Sequence, residues 1–143
     1  MVKSHDHSQS HRRVRADHAT ELAEDYVEAI DDICRESGSC RAVDLARRFG
    51  VSNVTVTRTV SRLVRDGYAQ TEPYGPIELT PKGKRVAEHA RARHQIVYRF
   101  LLSLGVSEKT ASVDSEGIEH HVSRETLHAM QRFIDHTARP SDG

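Results

Sequence analysis

Cysteine is scarce in this 143-residue chain, with Cys34 and Cys40 its two thiols. Their C-x5-C spacing matches no common zinc or redox signature, which argues against a thiolate metal site. Cys34 falls in phase with the apolar face of the first expected helix and reads as a buried thiol. No apolar run is long enough to span a bilayer, and nothing resembles a signal peptide, so a cytoplasmic protein with no membrane partner is expected. Catalytic signatures are missing too. There is no H-E-x-x-H run, nucleophile elbow or phosphate loop, which disfavours an enzyme and a small-molecule substrate. Internal repeats are absent. Formal net charge is zero with His neutral, so general stickiness toward polyanions is not expected.

The neutral total hides an uneven distribution. Residues 17–36 hold eight carboxylates (Asp17, Glu21, Glu24, Asp25, Glu28, Asp31, Asp32 and Glu36) against Arg35 alone. Residues 41–65 hold six arginines (Arg41, Arg47, Arg48, Arg58, Arg62 and Arg65) against Asp44 alone. A local excess of positive charge in a neutral chain points to a defined polyanion-binding surface.

A chain of this size fits one domain or two small lobes with a real core. Residues 1–16 are polar and aperiodic, which predicts a disordered arm. From Asp17 to Ser37 the residues Leu22, Ala23, Tyr26, Val27, Ile30, Ile33 and Cys34 follow a helical period, and Gly38 supplies the left-handed stop. A short helix is expected from Ala42 to Phe49, then a turn at Gly50-Val51-Ser52. Ser52 is the N-cap of a third helix whose buried stripe is Val56, Val60, Leu63 and Val64. Two short strands flank the turn signal Pro73-Tyr74-Gly75-Pro76. Thr80-Pro81 then opens a long helix to about Leu104. Ser107 caps a helix to about His121, Ser123 caps another over 124–137, and residues 139–143 form a frayed tail.

Helix, glycine turn, helix and two-stranded ribbon follow one another in the order of a winged helix-turn-helix. A major-groove reader must bury one stripe while presenting small polar and cationic groups on the other. With Val56, Val60 and Leu63 inside, the opposite face offers Asn53, Thr55, Arg58 and Arg62. Arg58 can pair bidentately with guanine, whereas Val54 and Thr55 offer methyl groups to thymine. Arg47, Arg48, Ser52, Arg62 and Arg65 are better placed for phosphates, which position the protein without specifying sequence. A solvated basic face on an ordinary helical hairpin is the bland alternative. It requires the turn, stripe and wing to coincide by chance.

Side chains three and four apart share a helix face, so Asp25/Glu28 can chelate together, as can Glu116/Glu119/His120. His94 is a further candidate. Carboxylate and imidazole without sulfur form a hard-to-borderline donor set suited to Mn(II), Fe(II) or Zn(II). Each group also has an ordinary reading. Asp25 and Glu28 belong to an acidic stripe of the kind that is usually solvated, and His94 shares an apolar stripe with Ala90, Val97 and Leu101. Gly117 costs a helix about 1 kcal/mol against Ala, a cost that makes sense if another helix or an ion approaches its backbone.

Five motifs in order carry a resemblance: Glu24-Asp-Tyr-Val-Glu28, Ser52-Asn-Val-Thr-Val-Thr-Arg-Thr-Val60, Leu79-Thr-Pro-Lys-Gly83, Arg93-His94 and Asp114-Ser-Glu-Gly-Ile-Glu-His-His-Val122. Over residues 20–137 the chain resembles the diphtheria-toxin-repressor family, in its manganese-transport-regulator branch. The resemblance implies a mostly α fold with a small β-wing. A winged helix-turn-helix over 17–80 would be followed by an all-helical metal-binding and dimerisation domain over 81–138, without the SH3-like domain of the iron regulators. It also implies that Asp25, Glu28, His94, Glu116, Glu119 and His120 are metal ligands, for two Mn(II) ions per subunit. Asp25 and Glu116 stand where the iron sensors carry Met and Cys, and these harder ligands favour manganese, with Fe(II), Zn(II) or other divalent ions as substitutes. The implied partners are a second copy of the chain and a palindromic double-stranded DNA operator, the output being repression of manganese uptake genes. The alternatives are an iron- or zinc-responsive repressor and a metal-independent winged-helix regulator.

Overall fold

The computed structural model describes residues 6–138, with side chains from residue 19 onward. It divides into two compact units between Glu88 and His89. The first unit contains α1 (Asp6–Ser37), α2 (Ala42–Phe49), α3 (Asn53–Arg65), β1 (Ala69–Thr71), β2 (Ile77–Leu79) and the opening turns of α4 (Pro81–Ser103). The rest of α4, α5 (Glu108–Ile118), a 3-10 turn (Glu119–His121) and α6 (Arg124–Ala138) form the second. The expected domain boundary at 80/81 precedes this division by two helical turns. The difference has a packing reason, since Ala87 is fully buried in the first unit's core and Val86 packs against it.

Helix α1 begins at Asp6, where the aperiodic sequence led to the expectation of a disordered arm through residue 16. Neither Pro nor Gly occurs between residues 6 and 37. Once the amphipathic part has nucleated the helix, each further residue adds one backbone hydrogen bond and needs no apolar stripe. Residues 1–5 and the expected tail at 139–143 lie outside the described residues. The helix ends as predicted, with Gly38 at φ +87° and its N–H bonded to the Cys34 carbonyl at 2.9 Å.

The remaining caps follow the sequence closely. At α2 the Arg41 N–H donates to the Asp44 carboxylate at 2.9 Å, and Gly50 closes the helix in the left-handed region. Ser52 Oγ accepts from Thr55 N–H at 3.2 Å to start α3. Thr80 Oγ1 accepts from Gly83 N–H at 3.1 Å and donates to the Gly67 carbonyl at 2.6 Å, so one hydroxyl starts α4 and ties it to the end of α3. Ser107 and Ser123 cap α5 and α6 in the same way, each accepting from the N–H three residues on.

Strands β1 and β2 pair antiparallel with Gln70 opposite Glu78. Ile77 N–H also bonds the Cys40 carbonyl at 2.7 Å, fastening the wing to the start of α2. Tyr26, Val27, Ile30, Leu45, Val56, Leu63 and Ile77 form the centre of one core. Two expected core positions are corrected. Val64 is 39% exposed, and its place in the stripe belongs to Thr59 at 7%. Positions 56, 59, 60 and 63 keep the i, i+3, i+4, i+7 spacing of one helix face, whereas 64 sits at its edge. The Thr59 hydroxyl is satisfied by donating to the Thr55 carbonyl at 3.0 Å, which removes the objection to burying it. Cys34 is only half-buried; the fully buried thiol is Cys40, whose pKa burial pushes up to about 12. In the second unit Ala90, Val97, Ala111, Ser115 and Leu127 are buried, and Phe100 meets Phe133 edge-on at 5.5 Å.

Leu45 is wholly buried, so Leu45→Ala should lower unfolding free energy by roughly 2–5 kcal/mol. Val64→Ala should cost less than about 1 kcal/mol, because its side chain already meets solvent. Urea denaturation of the two variants distinguishes these outcomes, and equal losses would contradict the assigned stripe.

Candidate DNA-reading head and metal centre

The exposed face of α3 is built by the stripe on its other side. Burying Val56, Thr59, Val60 and Leu63 turns Asn53, Val54, Thr55, Arg58 and Arg62 outward, and all five are exposed. Val54 is 68% exposed at the first turn, an apolar side chain that contributes little to the core. Its methyl groups and that of Thr55 are available to an outside partner. The three amides at the start of this 13-residue helix lend the same end a positive potential.

The arginines around this face are not equivalent. Arg48 Nη2 lies 3.2 Å from Asp32 Oδ2, a partly exposed pair that ties α2 to α1. Arg65 is bidentate to its neighbour Asp66, at 3.1 and 3.4 Å, and this hydrogen bonding holds the Asp66 carboxyl below its usual range. A phosphate approaching Arg48 or Arg65 meets a guanidinium already engaged with a carboxylate. Arg47, Arg58 and Arg62 are exposed on α2 and α3. Arg41 has a role that its local sequence does not reveal. Its Nη1 donates to the Tyr74 carbonyl at 3.0 Å and so holds the wing tip against the start of α2. Only its place in the arginine-rich run marked it, because a bond across 33 residues leaves no local pattern.

In the second unit the structure gathers three of the candidate metal ligands. His94 Nδ1 lies 3.7 Å from Glu119 Oε2, and His120 Nε2 lies 3.5 Å from Glu119 Oε1. The Glu119 side chain is 2% exposed and the His120 side chain 3%, while that of His94 is 21% exposed. Helix α5, expected to run to about His121, gives way at Glu119 to a 3-10 turn. That tighter winding carries Glu119 and His120. Glu116 shares the helical spacing but is exposed. In the first unit Asp25 and Glu28 are half-buried one turn apart on α1, beside the buried Tyr26, Val27 and Ala29.

The chemistry of this donor set fits a divalent ion of hard-to-borderline character. A carboxylate stands between two imidazoles, and both thiols of the chain belong to the other unit. Gly117 has open space around it within the described chain. A Cβ built there meets nothing within 4 Å, so among the described residues no helix presses on its backbone. Gly83 is the close-approach glycine, since a Cβ there would collide with the Tyr68 carbonyl.

Comparison with known proteins agrees with both units. The N-terminal DNA binding domain of the iron dependent repressors matches residues 18–77, and their metal binding and dimerisation domain matches residues 80–143. Transcriptional regulator MntR of Salmonella typhimurium is 47% identical over 133 residues, covering 93% of this chain and 85% of the relative. HTH-type transcriptional regulator MntR of Bacillus subtilis is 35% identical over 127 residues, covering 86% and 89%. Among solved structures, a manganese-dependent transcriptional repressor in complex with manganese superposes with a TM-score of 0.71 at 27% identity, over 79% of this chain and 52% of that one. The manganese regulator SloR shares the fold with a TM-score of 0.70 at 22% identity, over 79% and 53%. This chain spans about half the length of those two solved chains. The chain belongs to the diphtheria-toxin-repressor family of transcriptional regulators, in its MntR-like branch. It is a DNA-binding, metal-binding regulator and not an enzyme. Among the described residues, no helix is long and apolar enough to cross a membrane.

With nothing among the described residues within 4 Å of a Cβ built at Gly117, Gly117→Ala should raise stability by about 0.5–1 kcal/mol in thermal or urea unfolding. A loss of stability would show that something approaches that backbone in solution.

Proposed function

We propose that the protein is a Mn(II)-responsive repressor of manganese uptake genes, binding a palindromic operator as a metal-loaded homodimer. Residues 17–80 would read DNA, and residues 81–138 would bind metal and dimerise. Asp25, Glu28, His94, Glu116, Glu119 and His120 would hold the ions, two per subunit. Asn53, Val54, Thr55 and Arg58 would face bases, while Arg47, Arg48, Ser52, Arg62 and Arg65 would contact phosphates. The observation that supports this reading best is the Glu119 carboxylate between the His94 and His120 imidazoles, at 3.7 and 3.5 Å, in a domain of a metal-binding family. The manganese-dependent repressor that it resembles at 27% identity supports the choice of ion.

Bound metal would supply positive charge and fixed coordination directions. The carboxylates repel one another without it and attract a shared cation. By ligating residues from both units, the ion would favour one arrangement out of an ensemble. Two reading helices of a dimer must reach successive major grooves about 34–36 Å apart, so restricting their spacing raises affinity. Zn(II) and Cu(II) bind such donors at least as tightly. Preference for manganese would therefore rest on coordination geometry and cellular supply.

Gel-shift titration with DNA from a manganese uptake promoter should show binding on addition of Mn(II) and release by chelator. Asp25→Ala or Glu119→Ala should abolish that response, and an unchanged response would overturn the ligand assignment. On the DNA side, Arg58→Ala should relax base preference by about 1–3 kcal/mol at one position, whereas Arg62→Ala should weaken binding evenly and lower the salt slope by about one. Selection-based profiling of both variants separates the roles. Equal loss of preference in the two would contradict them.

A further inference from the structure

The wing tip holds a bulky residue in a conformation that its own fold does not reward. Tyr74 has φ +62°, the one positive φ among the described non-glycine residues. A large side chain rarely adopts this region, because Cβ crowds the backbone. The ring recovers nothing through packing, since it is fully exposed. An apolar surface is within reach. A cleft between α3 and the wing is lined by Val60, Val64, Ile77 and Tyr74 itself, yet the ring stays in solvent.

The tip is nevertheless held firmly in its backbone. Arg41 donates to the Tyr74 carbonyl at 3.0 Å, Gly75 N–H bonds the Glu72 carbonyl at 2.9 Å, and Ile77 N–H bonds the Cys40 carbonyl at 2.7 Å. These contacts fasten the wing to the first residues of α2, the helix that precedes the reading helix. A strained, anchored and outward-facing aromatic is the arrangement expected of a group kept for an external partner.

We propose that Tyr74 is a DNA-contacting residue, its phenolic hydroxyl donating to a backbone phosphate that flanks the major-groove site. This rests on the first unit's being the DNA-reading domain. Continuity with the reading helix supports it, because the same cleft is lined by Thr57 and Ser61, both exposed on α3. The wing's charge pattern defines the kind of contact. From Ala69 to Leu79 the ionisable carboxylates are Glu72 and Glu78, and there is no Lys or Arg. A phosphate is therefore met by a neutral donor at the tip, with the Arg41 guanidinium at its base. Glu72 and Glu78 disfavour phosphates elsewhere along the ribbon.

Variants Tyr74→Phe and Tyr74→Asn test this in the full-length, manganese-loaded protein. The DNA is a duplex selected in vitro by the wild-type protein, used with its flanks and in a version trimmed to the core site. Loss of one solvent-exposed hydroxyl donor should weaken Tyr74→Phe binding to the long duplex by about three- to ten-fold, the range of an ordinary hydrogen bond. The salt slope should stay unchanged, because a neutral donor releases no counterion. On the trimmed duplex Tyr74→Phe and wild type should bind alike. Tyr74→Asn should lose as much affinity while melting no lower than wild type, since Asn tolerates the left-handed region. A merely structural tyrosine would instead lower the melting temperature of Tyr74→Asn. Wild-type affinity in Tyr74→Phe on the long duplex would overturn the wing contact and leave the metal-gated repressor intact. Failure of the wild-type protein to select any duplex would overturn both.

Discussion

Burial of Tyr26, Val27, Ile30 and Ile33 along one seam of α1 decides where the other elements of the first unit can lie. Tyr26 stacks on Phe49 with ring centroids 4.5 Å apart, which sets the end of α2. Leu45 and Val56 fill the same core from α2 and α3 and fix the roll of the reading helix. The outward face of α3 is thus a consequence of the inward face of α1. Asp25 immediately precedes this buried seam and Glu28 lies within it, so whatever engages these carboxylates acts on the helix that seats the reading head.

The second unit concentrates its polar chemistry on one turn. Glu119 is buried and the His120 side chain is only 3% exposed, against the tendency of charged and polar groups to stay in water. A buried carboxylate requires compensation. Imidazoles stand 3.5 and 3.7 Å from it, and the proposed cation would supply that compensation. Glu119 and His120 sit at a helix end, where the chain tightens into a 3-10 turn and backbone regularity is already lost.

Much of this was legible in the residues. Helix α2 spans Ala42–Phe49 as expected, because Asp44 caps it at one end and Gly50 stops it at the other. The serine caps at 52, 107 and 123 and the Thr80-Pro81 start were equally local and equally readable. What escaped was non-local or context-dependent. Helix α1 continues to Asp6 by propagation, which periodicity does not detect. Thr59 replaces Val64 in the core because a back-bonded hydroxyl can be buried and a stripe has edges. Gly83, which the sequence did not single out for close approach, lies against the Tyr68 carbonyl. Of the candidate site, the outward face of α3 and the Glu119/His120 pair were visible as spacing, whereas His94 stood out only through the family resemblance. The engagement of Arg48 with Asp32 and of Arg41 with the wing was not, since each joins segments distant in sequence.

The decisive question is whether one cation engages both units. Amide hydrogen exchange, followed by mass spectrometry before and after Mn(II) addition, answers it directly. Protection should rise together around Asp25–Glu28 in α1 and around Glu119–His121, at the same metal concentration. Protection confined to the second unit, or none in either, would contradict metal gating of the reading head.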